Sequence, residues 1–217
     1  MPPDAMTASI LGTERTGSAV VIREDGLAVT IGYLVTEATS VKLTTRDGRV
    51  VEAHPVAVDF ATGFGLVMPM GKLGVPSLPR GGIASLSPGD EVAAISHGGR
   101  KHALAARVVA KTEFAGYWEY LLDEAIFTAP LHPAWSGAAL VDSRGRLVGL
   151  GSLFVQQVID GDTTRGNMFV PVELLDPILD DLLRLGRRDS PARPWLGIYL
   201  HDEDGRVVVQ DVAPGGP

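Results

Sequence analysis

The sequence predicts an all-β fold of short antiparallel strands, with a single helix after the last of them, on three observations. The 26 Gly and 15 Pro are spread between short apolar runs rather than gathered in one tract, so they read as turns that punctuate strands. Asp25-Gly26 separates two apolar runs, and Asp47-Gly48 does the same further on, which is a strong hairpin signal. From Val172 to Gly186, apolar residues fall at 172, 174, 175, 178, 179, 182, 183 and 185, the spacing of one helix face.

In chain order, residues 1–14 read as a flexible lead-in. A first hairpin follows, Ser18 to Ile22 and then a strand to Ile31, turned at Glu24-Asp25-Gly26. A second joins Ser40–Thr45 to Arg49–Ala57, with apolar and polar residues alternating. The Pro- and Gly-rich stretch Pro69 to Gly82 links two β-rich halves. The second half holds strands at Val92–Ser96, Ala103–Lys111, Tyr117–Leu122 and Ala125–Ala129, with His97–His102 as a loop. Then comes Thr128 to Gly149, which sets Ser136 in a loop of small residues before the apolar strand Ala138–Val141, the turn Ser143-Arg144-Gly145 and another strand. Gly149–Val158 and Arg165–Val170 close the half, turned at Asp160-Gly161-Asp162. Gly186 ends the helix, and Pro177 starts its regular part. Residues 187–192 form a charged linker to a last segment, 193–217, with a hairpin at Asp204-Gly205.

Composition narrows the function. At 217 residues and 45% hydrophobic, the chain can bury a sizeable core. A net charge of -7 without a basic stripe argues against nucleic acid as a partner. The absence of cysteine excludes disulfides and thiolate metal sites. No metal or other cofactor is expected. The start MPPDAMTASILGTERTG lacks the charged and apolar regions of a secretory signal, and no apolar run nears the roughly 18 residues of a membrane span.

Specific motifs then resemble the HtrA (Deg) family of trypsin-like serine proteases. Gly17, Ser18, Val20, Ile22, Gly26, Val29, Thr30 and Val35 fall in register with the family's first hairpin. Asp59–Val67 matches its D-x-x-x-D-L-A-x-[LI] run, and Gly166–Pro171 its G-x-x-[FY]-A-[IV]-P strand. Ala134-Trp135-Ser136-Gly137-Ala138-Ala139-Leu140 takes the place of the nucleophile loop G-N-S-G-G-P-L. The resemblance implies two antiparallel six-stranded β-barrels of the chymotrypsin fold over residues 15–186, including the C-terminal helix, and then the start of a PDZ domain in 193–217. Trp195, Leu196, Gly197 and Ile198 match that domain's carboxylate loop.

The resemblance also implies site residues, and several are altered. Ser136 stands at the nucleophile position, but Tyr33 takes the histidine position and Gly63 the aspartate position. A serine hydroxyl needs a base to accept its proton. Tyrosine, with an unperturbed pKa of about 10, donates a proton at neutral pH. The oxyanion-hole amides would come from Ala134 and Ser136. Trp135, Met168, Phe169 and Val170 would meet substrate, Trp135 as an anchor or as a lid over a dead site. The replacement bases in the sequence are His54, His97, His102, His132 and His201; His132 shares the loop with Ser136, but its spacing does not bring the two side chains together.

The expectation is thus an HtrA-like protease homologue that binds peptides or unfolded segments, or regulates active paralogues, without cleaving. The alternatives are a serine endopeptidase with a non-standard base and a structural scaffold. By resemblance a trimer-like homo-oligomer is expected, and a periplasmic location, or a cytoplasmic one as the chain stands.

Overall fold

A computed structural model describes residues 1–116, 120–159, 162–191 and 196–213. Two antiparallel sheets organise the first 171 residues. The first contains β1 (Val20–Val21), β2 (Ala28–Ile31), β3 (Val41–Thr44), β4 (Val50–Asp59) and β5 (Phe64–Pro69), in the order β1-β2-β5-β4-β3. The second contains β6 (Glu91–Ile95), β7 (Ala103–Ala115), β8 (Leu121–Ala129), β9 (Ala139–Val141), β10 (Leu147–Ile159) and β11 (Asp162–Pro171). It closes into a six-stranded barrel, β10-β11-β8-β7-β6-β9. Residues 160 and 161, at the expected turn between β10 and β11, lie outside the described residues, as do 117–119 before β8.

The first half differs from a six-stranded barrel. Its sheet has five strands and stays open, because the residues before β1 supply only a helical turn, α1 (Ala8–Leu11), and β1 itself is two residues long. A groove of about 660 Å³ lies along the gap, with Thr13–Ala19 and Ser40–Thr44 among its lining residues. The lead-in segment is held in place by two side chains. Arg15 donates to the carbonyls of Tyr33 (2.6 Å) and Thr36 (3.2 Å), and the Glu37 carboxylate accepts the backbone N–H groups of Met6 (3.0 Å) and Thr7 (2.8 Å).

Strand alternation produces a shared core. Leu27, just before β2, and Val29, Ile31, Phe64 and Leu66 of the first sheet are fully buried in one cluster with Leu147, Leu150, Met168 and Val170 of the second. At roughly 25 cal/mol per Å² of apolar surface removed from water, such a cluster is the main force joining the halves. Helix α2 (Leu179–Leu185) adds Leu182 to it, and the 3-10 turn Val172–Leu175 adds Val172 and Leu175. One continuous helix from 172 does not form. Pro177 has no N–H to carry the bonding forward, so a tight turn precedes α2. Gly186 ends it with φ 69°, as a glycine stop requires.

Just beyond the helix, Arg188 ties the chain back to the first sheet. Its guanidinium meets the buried Asp59 carboxylate through Nε (2.6 Å) and Nη2 (2.7 Å), and Thr62 donates its N–H (2.9 Å) and hydroxyl to the same group. Burial alone would raise the Asp59 pKa, but the bonds from Arg188 and Thr62 outweigh it and hold the carboxyl below its ordinary value.

Further on, β12 (Ile198–Glu203) and β13 (Arg206–Val212) form a separate two-stranded hairpin. Asp204 and Gly205 turn it, both at positive φ (52° and 78°), the conformation an Asp-Gly hairpin turn favours. Leu200, Val207, Val209 and Val212 on it are exposed. Trp195 lies outside the described residues; Leu196 is exposed, Gly197 has φ 64°, and Ile198 begins β12.

Removing Arg188 would leave the buried Asp59 carboxylate without its counter-charge, held by Thr62 alone, so Arg188→Ala should cost about 1–3 kcal/mol at pH 7 in urea or thermal unfolding. Because the folded Asp59 pKa is depressed, this stabilisation is complete above the unfolded carboxylate value of about 3.9. It should fade as pH falls through the lower folded value, so the gap between wild type and variant narrows on acidification.

Candidate functional site

The serine loop is fixed by backbone bonds to both halves. Ser18 N–H donates to the Ser136 carbonyl (2.8 Å), and Thr30 Oγ1 donates to the Ser18 carbonyl (2.7 Å), so the first sheet grips the loop. On the other side Gly137 N–H donates to the Gly151 carbonyl (2.8 Å), and Gly151 N–H to the Ala138 carbonyl (2.8 Å). Gly137 has φ 71°, and a Cβ there would strike the Ser18 carbonyl oxygen. Only glycine lets the two chains approach that closely.

Inside this clamp, Ser136 meets Tyr33. The Ser136 Oγ lies 2.8 Å from the Tyr33 hydroxyl, which in turn lies 2.9 Å from the Ser152 carbonyl oxygen. A carbonyl can only accept, and a phenol has one proton to give. The Tyr33 proton therefore points to Ser152, and the Ser136 hydroxyl donates to the phenol oxygen. Ser152 sits at the bulge where the β10–β11 register shifts between Gly151 and Leu153 and has no Cα partner on β11. Its Oγ pairs with the Tyr120 hydroxyl. Four residues from distant parts of the chain thus form one hydrogen-bonded row: Ser136, Tyr33, Ser152 and Tyr120.

The row explains the glycine at position 63. Gly63 has φ 79°, donates its N–H to the Asp59 carbonyl (2.7 Å), and accepts from Gly32 N–H (2.6 Å). A Cβ built on it would stand inside the Tyr120 ring. Tyr120 therefore fills the space that a side chain at 63 would need. It also packs near Phe114, with ring centroids 6.2 Å apart.

The backbone at Ala134, expected from the resemblance to supply an oxyanion donor, has a partner of its own. Ala134 N–H donates to His132 Nδ1 (3.1 Å), so it is engaged within its own loop. His132 is buried, and its Nε2 lies 2.9 Å from the His102 carbonyl. An imidazole that accepts at Nδ1 carries its proton on Nε2, and both contacts fit that tautomer. The backbone of His132 is also held: its N–H donates to Asn167 Oδ1 (2.7 Å), and Asn167 Nδ2 donates to its carbonyl (3.4 Å). Among the described residues, Ser136 N–H has no such partner.

The other residues picked out from sequence fall in varied places. Met168, Phe169 and Val170 are fully buried in β11, with Asn167 as the residue beside the serine loop. Trp135 is half-buried and stacks obliquely on the exposed Phe154, centroids 6.1 Å apart. Among the described residues, β10 pairs with β11 alone beyond Leu150, so Leu153 to Gln156 have no strand on their other side there, beside Trp135. None of the five histidines hydrogen-bonds Ser136 among the described residues. Tyr120 and Ser152, and the role of His132, were not found from the sequence. The spacing of Tyr120 and Ser152 from Tyr33 carries no local signal, since a sheet brings them together.

Comparison with known proteins agrees with the fold. A family model for the trypsin-like peptidase domain matches residues 17–150. The serine endoprotease DegS of Escherichia coli (strain K12) is 29% identical, over 93% of this chain and 60% of its own length. The chloroplastic protease Do-like 1 of Arabidopsis thaliana is 27% identical, over 99% of this chain and 51% of its own. The structure of the HtrA-type protease AlgW with a decapeptide superposes with a TM-score of 0.68 at 24% identity, covering 93% of this chain and 64% of that one. The chain belongs to the trypsin-like peptidase domain family, as an HtrA-type serine protease homologue. It spans about half to three fifths of the length of the relatives it matches.

Because Tyr33 serves both Ser136 and the Ser152 carbonyl, Tyr33→Phe should destabilise the fold by about 1–2 kcal/mol in chemical denaturation. Ser136→Ala removes one of the two bonds and should cost less. Their double-mutant cycle should give a coupling of about 0.5–1 kcal/mol, since each variant removes the same contact.

Proposed function

We propose that this chain is a non-cleaving HtrA-type homologue that binds extended peptide segments beside a serine that cannot be activated. The observation that carries the reading is the direction of the Ser136–Tyr33 bond. Ser136 donates to a phenol whose own proton is committed to a peptide carbonyl. To act as a base, Tyr33 would have to lose that proton to a group with no basicity. In a serine protease, loss of the histidine alone costs about as much as loss of the whole triad, on the order of 10^6 in turnover. Gly63 adds no orienting carboxylate, and the amide at 134 is engaged elsewhere.

Binding would use the β10 edge at Leu153–Gln156, which has no partner strand among the described residues and where an extended peptide gains main-chain bonds by strand addition. Trp135 and Phe154 would supply the aromatic anchor, with Met168, Phe169 and Val170 as the packed wall behind. The relative solved with a decapeptide gives this class of ligand its precedent. Residues 193–217 would be the opening of a PDZ module, and the chain would act within a homo-oligomer or beside an active paralogue.

With a fluorophosphonate probe and unfolded casein, the wild-type chain should show neither labelling nor cleavage. Modification that Ser136→Ala abolishes would favour an endopeptidase with a non-standard base and sink this proposal. An extended peptide should still bind, and Trp135→Ala should weaken it about 5- to 10-fold in a fluorescence titration.

Installing Tyr33→His with Gly63→Asp should leave the site inert and the protein less stable. The new side chain at 63 meets the Tyr120 ring and takes on a backbone strain of about 1–2 kcal/mol. Adding Tyr120→Ser should recover most of the lost stability in thermal unfolding.

A further inference from the structure

The geometry points to His132 as a positioning residue, a latch that withholds one of the two backbone oxyanion donors from the Ser136 site. Because it builds on the non-cleaving reading of this site, it adds a third cause of inertness beside Tyr33 and Gly63. It concerns the peptide group of the loop rather than the triad. Two backbone amides would face a developing oxyanion here, those of Ala134 and Ser136. Ser136 N–H has no partner among the described residues, whereas Ala134 N–H is bound to His132 Nδ1 at 3.1 Å. An amide N–H has one proton to direct. While it points to the imidazole, it cannot point to an oxygen on Ser136.

The latch is built rather than incidental, because the imidazole is fixed from three sides. Its Nε2 is bonded to the His102 carbonyl, in the loop between β6 and β7, which sets the tautomer that leaves Nδ1 as an acceptor. Its own backbone N–H and carbonyl are bonded to the buried Asn167 of β11. The ring is almost fully buried, at 3% exposure, although Ala134 itself is exposed. Turning the Ala134 peptide toward Ser136 would leave Nδ1 as a buried acceptor without a partner, which is unfavourable. The loop thus holds the arrangement with one donor.

Two isosteric variants separate the roles of the ring nitrogens. His132→Asn places an amide oxygen near the Nδ1 position and keeps the latch. His132→Gln places its amide near Nε2, keeps a donor for the His102 carbonyl, and removes the acceptor for Ala134. Amide hydrogen exchange by NMR should show Ala134 protected about 10-fold or more in wild type and His132→Asn, and unprotected in His132→Gln. Phenylboronic acid is the functional probe: the Ser136 oxygen adds to boron, its proton passes to water, and the tetrahedral anion seeks the oxyanion donors. It should bind about 10-fold or more tightly to His132→Gln than to wild type or His132→Asn.

Equal protection in wild type and His132→Gln would overturn the latch, as would unchanged boronate affinity after the protection is lost. If His132→Gln does not fold, the wild-type amide decides: rapid exchange at Ala134 overturns the proposal, and slow exchange supports it. Casein turnover by the wild-type chain would overturn the non-cleaving reading while leaving the exchange result intact.

Discussion

The structure depends on one constraint: the backbone around Ser136 is bonded to both halves of the molecule at once. The Ser136 carbonyl is held by Ser18 from the first sheet, and Gly137 and Ala138 exchange bonds with Gly151 of the second. A neighbouring contact, from His97 N–H to the Ser18 hydroxyl (3.2 Å), crosses between the halves in the same region. None of these bonds needs a histidine side chain, an aspartate or a nucleophile. The loop can keep its place while its chemistry changes.

That independence makes the residues at 33, 63 and 120 intelligible as a set. A phenol at position 33 reaches the Ser152 carbonyl at the β10 bulge, and the hydroxyl of Ser152 is then met by Tyr120. The Tyr120 ring needs room, and position 63 supplies it by having no side chain. Each of Tyr33, Gly63 and Tyr120 is costly to change alone, because its neighbour would be left without a partner or without space. The closely packed row pairs its hydroxyl groups with one another and with the Ser152 carbonyl, as buried polar groups require.

Local signals in the sequence sufficed for most of the fold. Asp25-Gly26, Asp47-Gly48 and Asp204-Gly205 each turn a hairpin, and the spacing after 172 leads to a helix end at Gly186. The open first sheet was not legible, because a family pattern beginning at Gly17 does not say whether the preceding residues make a strand. The break at Pro177 moved the helix start to Leu179 through a backbone bond that a side-chain pattern does not encode. At the site, Ser136, Tyr33 and Gly63 could be aligned because they lie in recognisable motifs. Tyr120 and Ser152 could not, since they reach the site only through the β7–β8 and β10–β11 pairings. His132 shares a loop with Ser136, yet its ring turns to the amide two residues on.

Retention of the serine carries less weight than it first suggests. A 10^6-fold rate advantage corresponds to about 8 kcal/mol of transition-state stabilisation, and none of it stabilises the resting fold. Active sites commonly hold strain or unpaired groups that lower stability. Here the same hydroxyl has a role in the ground state, where it satisfies a phenol oxygen inside a clamp that joins two sheets. A hydrogen bond of that kind is worth about 1 kcal/mol, enough to favour serine over alanine in a marginally stable protein. Ser136 can therefore persist for the sake of packing and pairing alone, and its presence does not argue for catalysis.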